Sequence, residues 1–283
     1  MSNNQNKPLK PPKHTDLPFF AYGIFKPHQL AYSRIENYVK KFYDYEIDYK
    51  MLMRDGVPLI VPPIRNHEKT KGYLVYFNEE CSKEAYEIIS KTHYDKLYKW
   101  EEIDVGENKA NVLMGANPEM GSSSIEGNLG DYDGRNDPYF KEAIEVAENE
   151  LNDKNKHWSS INDFFKLQMS YMLLWTAIER YVSLKYNCPE IWQKWRKLSN
   201  EKVFKMSLKK HVKTKRTVYS AKDLREYTLN PKKPYFSLNY YYTIRCNVAH
   251  RGKALYSDDE ILRQSLKELL EIFKDVLEYT FGE

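Results

Sequence analysis

The longest run of helical apolar spacing is the feature that most constrains the fold of this chain. It extends from Ile161 to Tyr186 and carries a stripe of large apolar side chains: Phe164, Leu167, Tyr171, Leu174, Ile178 and Tyr181. Met172, Trp175 and Val182 widen this stripe, so the spacing predicts a long helix buried on most of its sides. A helix of this kind needs several others around it.

Further helices are predicted on both sides of it. Asp137-Pro138 is an N-cap followed by proline at the first helical position, and it opens a helix over 139–151. A short segment with two tryptophans predicts a helix over 189–198, and an aromatic, apolar segment followed by Gly252 as C-cap predicts one over 235–251. A regular apolar stripe predicts a last helix from about residue 257 to the end. The sequence therefore predicts an all-α helical bundle over 138–283.

The first half has a different character, with short apolar runs broken by glycine and proline. Strands are predicted over 45–52, 57–61, 72–77 and 98–105, with 109–114 as a possible extension of the last one. Asp55-Gly56 predicts a hairpin, and helices are predicted over 29–43 and 81–90. We expect a mostly-β domain over 16–115, as a small barrel or an α+β sheet, so the fold class is α+β with two domains.

Polar segments flank this half. Residues 1–15 are rich in lysine and proline and predict a disordered tail with neither a signal peptide nor an anchor. Residues 116–137 are rich in Gly, Asn, Ser and Asp and predict a linker loop.

Composition narrows the functional classes. The formal net charge is only +4, so any nucleic-acid surface has to be local. The three cysteines have no metal-ligand spacing, which predicts no zinc site and favours a reducing cytoplasm. No apolar run is long enough to span a membrane, and no metal or cofactor is expected.

The stretch from Tyr240 to Lys253 concentrates polar groups that suit phosphodiester chemistry. Arg245, Asn247 and His250 fall within six residues at the predicted end of a helix. Arginine stabilises a phosphate without a metal, and histidine moves protons near neutral pH. RNA supplies its own 2′-OH as nucleophile, so these groups are candidate catalytic residues, with Asn247 orienting His250.

Helical geometry complicates this site. Residues 245 and 250 lie about 140° apart around a helix, so a long reach or a second subunit is needed to bring them together. Glu179, on the apolar face of the long helix, is the candidate partner that orients Arg245. Two alternatives remain open. In the first, Glu179 only sits at the edge of the apolar stripe. In the second, the ion pair between Arg245 and Glu179 has a purely structural role.

A basic run over 205–216 is the candidate grip on an RNA backbone. The alternative is a solvated lysine face. The candidate RNA-binding residues, including two that follow the site stretch, are Lys209, Lys210, Lys213, Lys215, Arg216, Arg251 and Lys253.

The helical half resembles the HEPN superfamily. Ile244-Arg-Cys-Asn-Val-Ala-His-Arg-Gly-Lys253 is similar to the Arg-x4-His form of some members, and Leu174–Arg180 is similar to their preceding helix. Many members have a polar residue directly after the arginine, where this chain has Cys246. The resemblance implies a homodimer with facing motifs and metal-independent RNA cleavage.

The first half resembles the gamma-glutamylcyclotransferase-like domain, through Tyr22-Gly23-Ile24-Phe25, Asp55–Pro58, Thr70–Val75 and Tyr98–Val105. The family's catalytic glutamate is missing before Tyr98, where Asp95 is the acidic residue present. Cyclotransfer needs a carboxylate for proton transfer, so we expect structural or binding use here. The Tyr22–Phe25 turn is the candidate site for a small anion.

We therefore expect a HEPN-type endoribonuclease, a toxin or defence effector whose N-terminal domain is regulatory or ligand-binding. Its expected partners are RNA, a second copy of the chain, and a small-molecule ligand or an antitoxin. The alternatives are a non-catalytic RNA-binding or dimerisation protein and a γ-glutamyl-type small-molecule protein.

Overall fold

A computed structural model describes residues 8–54, 56–63, 68–93, 95–116, 122–124, 132, 134–153, 160–251 and 258–282. The side chains of 122–124, 250 and 251 lie outside this description. Contacts divide the chain into two compact units, Met1–Asp137 and Pro138–Glu283. We call them the N-terminal unit and the C-terminal unit. The first is built on a sheet and the second mainly on helices, so the fold is mixed α and β.

The described strands of the N-terminal unit form one sheet. They are β1 (Phe19–Ala21), β2 (Val39–Ile47), β3 (Lys50–Arg54), β4 (Val57–Val61), β5 (Thr70–Phe77), β6 (Tyr98–Val105), β7 (Asn108–Gly115) and β8 (Ser122–Ser124). The order is β2-β5-β1-β7-β4-β3-β8, and β6 pairs with β7. The strand β7 is parallel to β1 and β4, whereas the other pairings are antiparallel. Among the described residues of this unit, one segment is α-helical, α1 (Ser82–Lys91).

Two tight turns set the register of this sheet. The predicted hairpin at Gly56 is confirmed, because Arg54 pairs with Val57 and Gly56 has a φ of 70°. The predicted extension of the 98–105 strand is wrong. Gly106 has a φ of 67° and reverses the chain, so β6 and β7 form a second hairpin.

The helix predicted over 29–43 is also wrong. Short 3-10 turns cover Leu30–Arg34 and Glu36–Tyr38, and β2 begins at Val39. This strand pairs with β5 from Val39 to Ile47. A long-range ladder has therefore overridden local apolar spacing at this position.

The flanking polar segments are more ordered than predicted. Residues 1–7 lie outside the description, but the Leu9 amide donates to the carbonyl of His93 at 3.1 Å, and Asn111 Nδ2 donates to the carbonyl of His14 at 2.6 Å. Within the predicted linker, β8 pairs with β3. Most other residues of the linker lie outside the described ranges.

The C-terminal unit contains six described helices. They are α2 (Pro138–Asn152), α3 (Ile161–Lys185), α4 (Ile191–Asn200), α5 (Lys202–His211), α6 (Pro234–Arg251) and α7 (Asp259–Phe281). The central helix α3 packs against α2, α6 and α7. None of the described helices has the length and apolarity that crossing a membrane would need.

One part of this unit corrects the prediction of an all-α bundle. The strands β9 (Arg216–Tyr219) and β10 (Glu226–Leu229) form an antiparallel hairpin that packs against α6. The reversal uses Leu224 at a φ of 57°. Because no glycine marks this turn, the usual sequence signal for a hairpin is missing.

Candidate functional site

Arg245 and Glu179 meet where α6 packs on α3. Arg245 Nε lies 3.8 Å from Glu179 Oε1, and the two side chains keep 22% and 29% of their surface exposed. This distance is that of an ion pair without a hydrogen bond. Arg245 Nε is buried and has no hydrogen-bond partner among the described residues. The carboxylate therefore lies beside the guanidinium group without satisfying its Nε donor.

Aromatic side chains fix the carboxylate end of this pair. The indole Nε1 of Trp175 donates to Glu179 Oε1 at 2.9 Å. The rings of Trp195 and Tyr242 lie 5.1 and 5.9 Å from that of Trp175. Glu179 is thus oriented by Trp175, one helical turn earlier, which the apolar spacing had assigned only to the core.

Tyr242 connects this aromatic cluster to the cysteine after Arg245. Burial raises the pKa of the Tyr242 phenol, and the Cys246 thiol raises it further, while Arg245 lowers it. Sequence reasoning missed Trp175, Trp195 and Tyr242 as neighbours of the site. Tyr242 could have been identified from the sequence, because it lies one helical turn before Cys246 on α6.

Asn247 has a contact with the β9–β10 hairpin that was not predicted. Its Oδ1 accepts a hydrogen bond from the Ala221 amide, and its Nδ2 donates to the Tyr219 carbonyl, both at 2.8 Å. Positions 245 and 247 lie about 160° apart around a helix, so one faces α3 and the other faces the hairpin. Asn247 therefore clamps the β9–β10 turn, and its predicted contact with His250 is not tested, because the His250 side chain lies outside the described residues.

The remaining residues of the site stretch fall at the limit of the description. The backbone of His250 and Arg251 completes α6, as predicted for a helix ending near Gly252. The predictions for the His250 and Arg251 side chains, and for Lys253, lie outside the described residues.

Arg216 is the clearest correction to the predicted RNA-binding set. Its Nη1 donates to Glu268 Oε1 at 2.9 Å, and its Nη2 donates to Glu268 Oε2. The Tyr241 hydroxyl donates to the same carboxylate at 2.9 Å. Only 13% of the Arg216 side chain and 7% of the Glu268 side chain are exposed. This bidentate pair ties the hairpin to α7, so Arg216 is a core residue.

The other basic residues divide into two groups. Lys210 Nζ lies 3.2 Å from Asp275 Oδ1, and His211 Nε2 lies 2.9 Å from Asp275 Oδ2, so this part of the run secures α5 to α7. Burial raises the pKa of the Asp275 carboxyl, but hydrogen bonds from Ser207, His211 and Lys210 lower it more. A second group is exposed and makes no ion pair within the described ranges: Lys209, Lys213 and Lys215.

The predicted ligand turn of the N-terminal unit is closed. Tyr22, Gly23, Ile24 and Phe25 are all buried. The Tyr22 hydroxyl donates to the Leu113 carbonyl at 2.6 Å, and burial, with Tyr98 nearby, raises the pKa of this phenol well above its usual value. The turn packs the sheet here and offers no open surface to an anion.

An open cavity of about 630 Å³ lies elsewhere in the same unit. The N-terminal residues 8–13 form one wall, and Trp100 and Asn111 contribute to the other. Asp95, the acidic residue nearest the missing glutamate, is exposed and also lines this cavity. Asp95 and the buried Tyr22 turn therefore face different surroundings.

Comparisons with models of protein families, with curated proteins and with solved structures found no match to this chain. Within the described ranges, no group of three or more His, Cys, Asp or Glu side chains is placed to hold a metal ion.

Proposed function

We propose that the chain is a metal-independent endoribonuclease of HEPN type, acting as a toxin or defence effector, with its site at Arg245 and His250. The observation that carries the proposal is the state of Arg245. Arg245 Nε lies 3.8 Å from Glu179 Oε1, and 22% of the Arg245 side chain is exposed. An arginine that is oriented by a carboxylate and partly exposed suits a phosphate.

The proposed reaction uses the RNA 2′-OH as nucleophile. The 2′-OH releases its proton to solvent water as the 2′-oxygen bonds to phosphorus, the bond from phosphorus to the 5′-oxygen breaks, and a 2′,3′-cyclic phosphate and a 5′-OH result. Arg245 stabilises the charge that grows on the phosphoryl oxygens. His250 protonates the departing 5′-oxygen. Glu179 positions Arg245.

Substrate RNA binds, on this proposal, to the exposed lysines at and just after the C-terminal end of α5, which are Lys209, Lys213 and Lys215. Such contacts act on the phosphate backbone regardless of base sequence, so binding weakens steeply with salt. Arg216 and Lys210 are left out of this grip because they pair with Glu268 and Asp275.

Cleavage of a mixed RNA in EDTA tests this proposal. Arg245→Ala should lower the rate about 100- to 1,000-fold, as loss of one transition-state donor does. His250→Ala should lower it about 100- to 10,000-fold. Arg225→Ala is the matched control, since Arg225 is exposed on the hairpin loop and should leave the rate unchanged. Intact RNA with the unmodified chain, or equal rates for all variants, contradicts the proposal.

A second candidate function is RNA binding without cleavage. It is favoured by Asn247, whose amide serves the hairpin, so that fewer groups remain for catalysis. Binding would then depend on the exposed lysines and be unchanged in His250→Ala. The cleavage assay separates the two, because only the first function predicts shortened RNA.

The N-terminal unit is proposed as the regulatory part. The cavity bounded by residues 8–13, Trp100 and Asn111 is a better candidate for a small-molecule site than the buried Tyr22 turn. The proposed partners of the whole chain are RNA and a second copy of itself.

A further inference from the structure

Helix α3 exposes a stripe of large apolar side chains opposite its buried face. Ile161, Phe165, Met169 and Leu173 recur at every fourth position, and they are 60%, 55%, 71% and 36% exposed. Positions four apart lie one above the other on a helix. They therefore form one continuous apolar surface, which we call the α3 stripe.

The opposite face of α3 is buried in the core of the C-terminal unit. Leu167, Tyr171 and Leu174 are completely buried in the C-terminal unit. A surface helix ordinarily places polar residues opposite its core face, whereas a helix that is apolar on both sides is usually covered on both. The α3 stripe thus has the composition of an interface and the exposure of a surface.

The apolar surface continues onto the neighbouring helix. Val146 of α2 is 37% exposed. Together with Phe165 and Met169 it lines a cavity of about 540 Å³ along the α2–α3 edge. The surface therefore combines protruding apolar side chains with an open cavity beside them.

We propose that the α3 stripe is the interface of a homodimer in which two α3 helices cross antiparallel about a two-fold axis. The sequence of the stripe is self-complementary in that arrangement. If the two-fold axis crosses α3 at the level of residue 167, Ile161 faces Leu173 of the second copy and Phe165 faces Met169 of the second copy. An isologous interface requires this reciprocity, because the same patch must serve both copies.

The area available fits a second copy. If a large side chain offers roughly 200 Å², the exposed fractions of the stripe and Val146 amount to roughly 500 Å² per copy. Two copies would bury about 1,000 Å² of apolar surface, which reaches the lower bound for a specific interface before any polar rim is counted. A single apolar patch of this size is at the upper end of what monomers expose.

This dimer differs from one in which two Arg245–His250 motifs share a cleft. Glu179 lies twelve residues beyond the axis, so its two copies would stand about 36 Å apart along the antiparallel helices. The inference goes beyond the proposed function and does not rest on it. A dimer without RNA cleavage, or cleavage by a monomer, would separate the two proposals.

Sedimentation analysis of the full-length chain tests this interface. The unmodified chain should have twice the monomer mass of 33.8 kDa, and Met169→Glu should have the monomer mass because a buried charge opposes association. Met206→Glu is the matched control, since Met206 is 60% exposed on α5, away from the stripe. It should remain a dimer.

A second variant guards against misfolding. Leu173→Glu should also give a monomer, and circular dichroism should show unchanged helix content in both stripe variants. A monomeric unmodified chain at micromolar concentration overturns the proposal. So does a dimer that persists in both stripe variants while they stay folded.

Discussion

Replacing Glu268 with alanine tests whether Arg216 belongs to the core of the C-terminal unit. The Glu268 carboxylate accepts two hydrogen bonds from Arg216 and one from the Tyr241 hydroxyl, and its side chain is only 7% exposed. Glu268→Ala would leave a largely buried guanidinium group and a buried hydroxyl without their acceptor. Breaking a buried pair in this way costs about 3–5 kcal/mol.

The assay is urea denaturation followed by circular dichroism, which reports on the helices of the C-terminal unit. Glu271→Ala provides the control, because Glu271 lies one turn further along α7 and pairs with Lys274 only at 3.7 Å on the surface. Its free energy of unfolding should change by less than about 0.5 kcal/mol. If Glu268→Ala costs no more than this control, the structural assignment of Arg216 is refuted.

Three further predictions concern a glycine in a tight turn, a buried histidine and the asparagine that holds the β9–β10 hairpin. Gly23→Ala should cost about 2 kcal/mol or more in unfolding free energy, because Gly23 has a φ of 58° and a Cβ would collide with Pro58 Cγ; Gly106→Ala, at a φ of 67° but with open space, should cost about 1 kcal/mol. Burial lowers the pKa of His93 to about 4, so its contribution to stability is complete above about pH 6.5 and falls by about 3 kcal/mol between pH 6.5 and 4; His93→Phe should lack that slope. Asn247→Ala should loosen the β9–β10 turn, measured as faster amide exchange there, and should cost about 1–2 kcal/mol.

Local signals were sufficient where structure depends on local spacing. The predicted helices over 139–151, 161–186 and 235–251 lie within two residues of α2, α3 and α6 at each end. In α2 and α3 a stripe of apolar side chains repeats over several turns, and α2 also has proline at its first position. The hairpin at Gly56 followed from the demand of its turn for a positive φ.

Local signals failed where distant partners decide the outcome. The helix predicted over 29–43 became 3-10 turns and β2 because β5, thirty residues later, supplies a ladder. Arg216 looked like part of a lysine face, yet its partner Glu268 is 52 residues away. No spacing rule within the basic run distinguishes a paired arginine from a solvated one.

The candidate site divides in the same way. The sequence singled out Arg245 and Glu179, and packing of α6 on α3 brings them together. The contacts of Asn247 with the β9–β10 hairpin were not predicted, because the hairpin itself was missed. Helical angles alone place residue 247 away from 245 but do not reveal what lies on that side.

The central claim, that Arg245 and His250 cut RNA through its 2′-OH, is tested most directly by two oligonucleotides that differ at one position. One is an ordinary RNA with a mapped cut site, and the other carries a 2′-O-methyl group on the nucleotide before that site. In EDTA, the full-length chain should cut only the first, and the new end should carry a 2′,3′-cyclic phosphate. Equal cutting of both oligonucleotides, or no cutting of either, would contradict the claim.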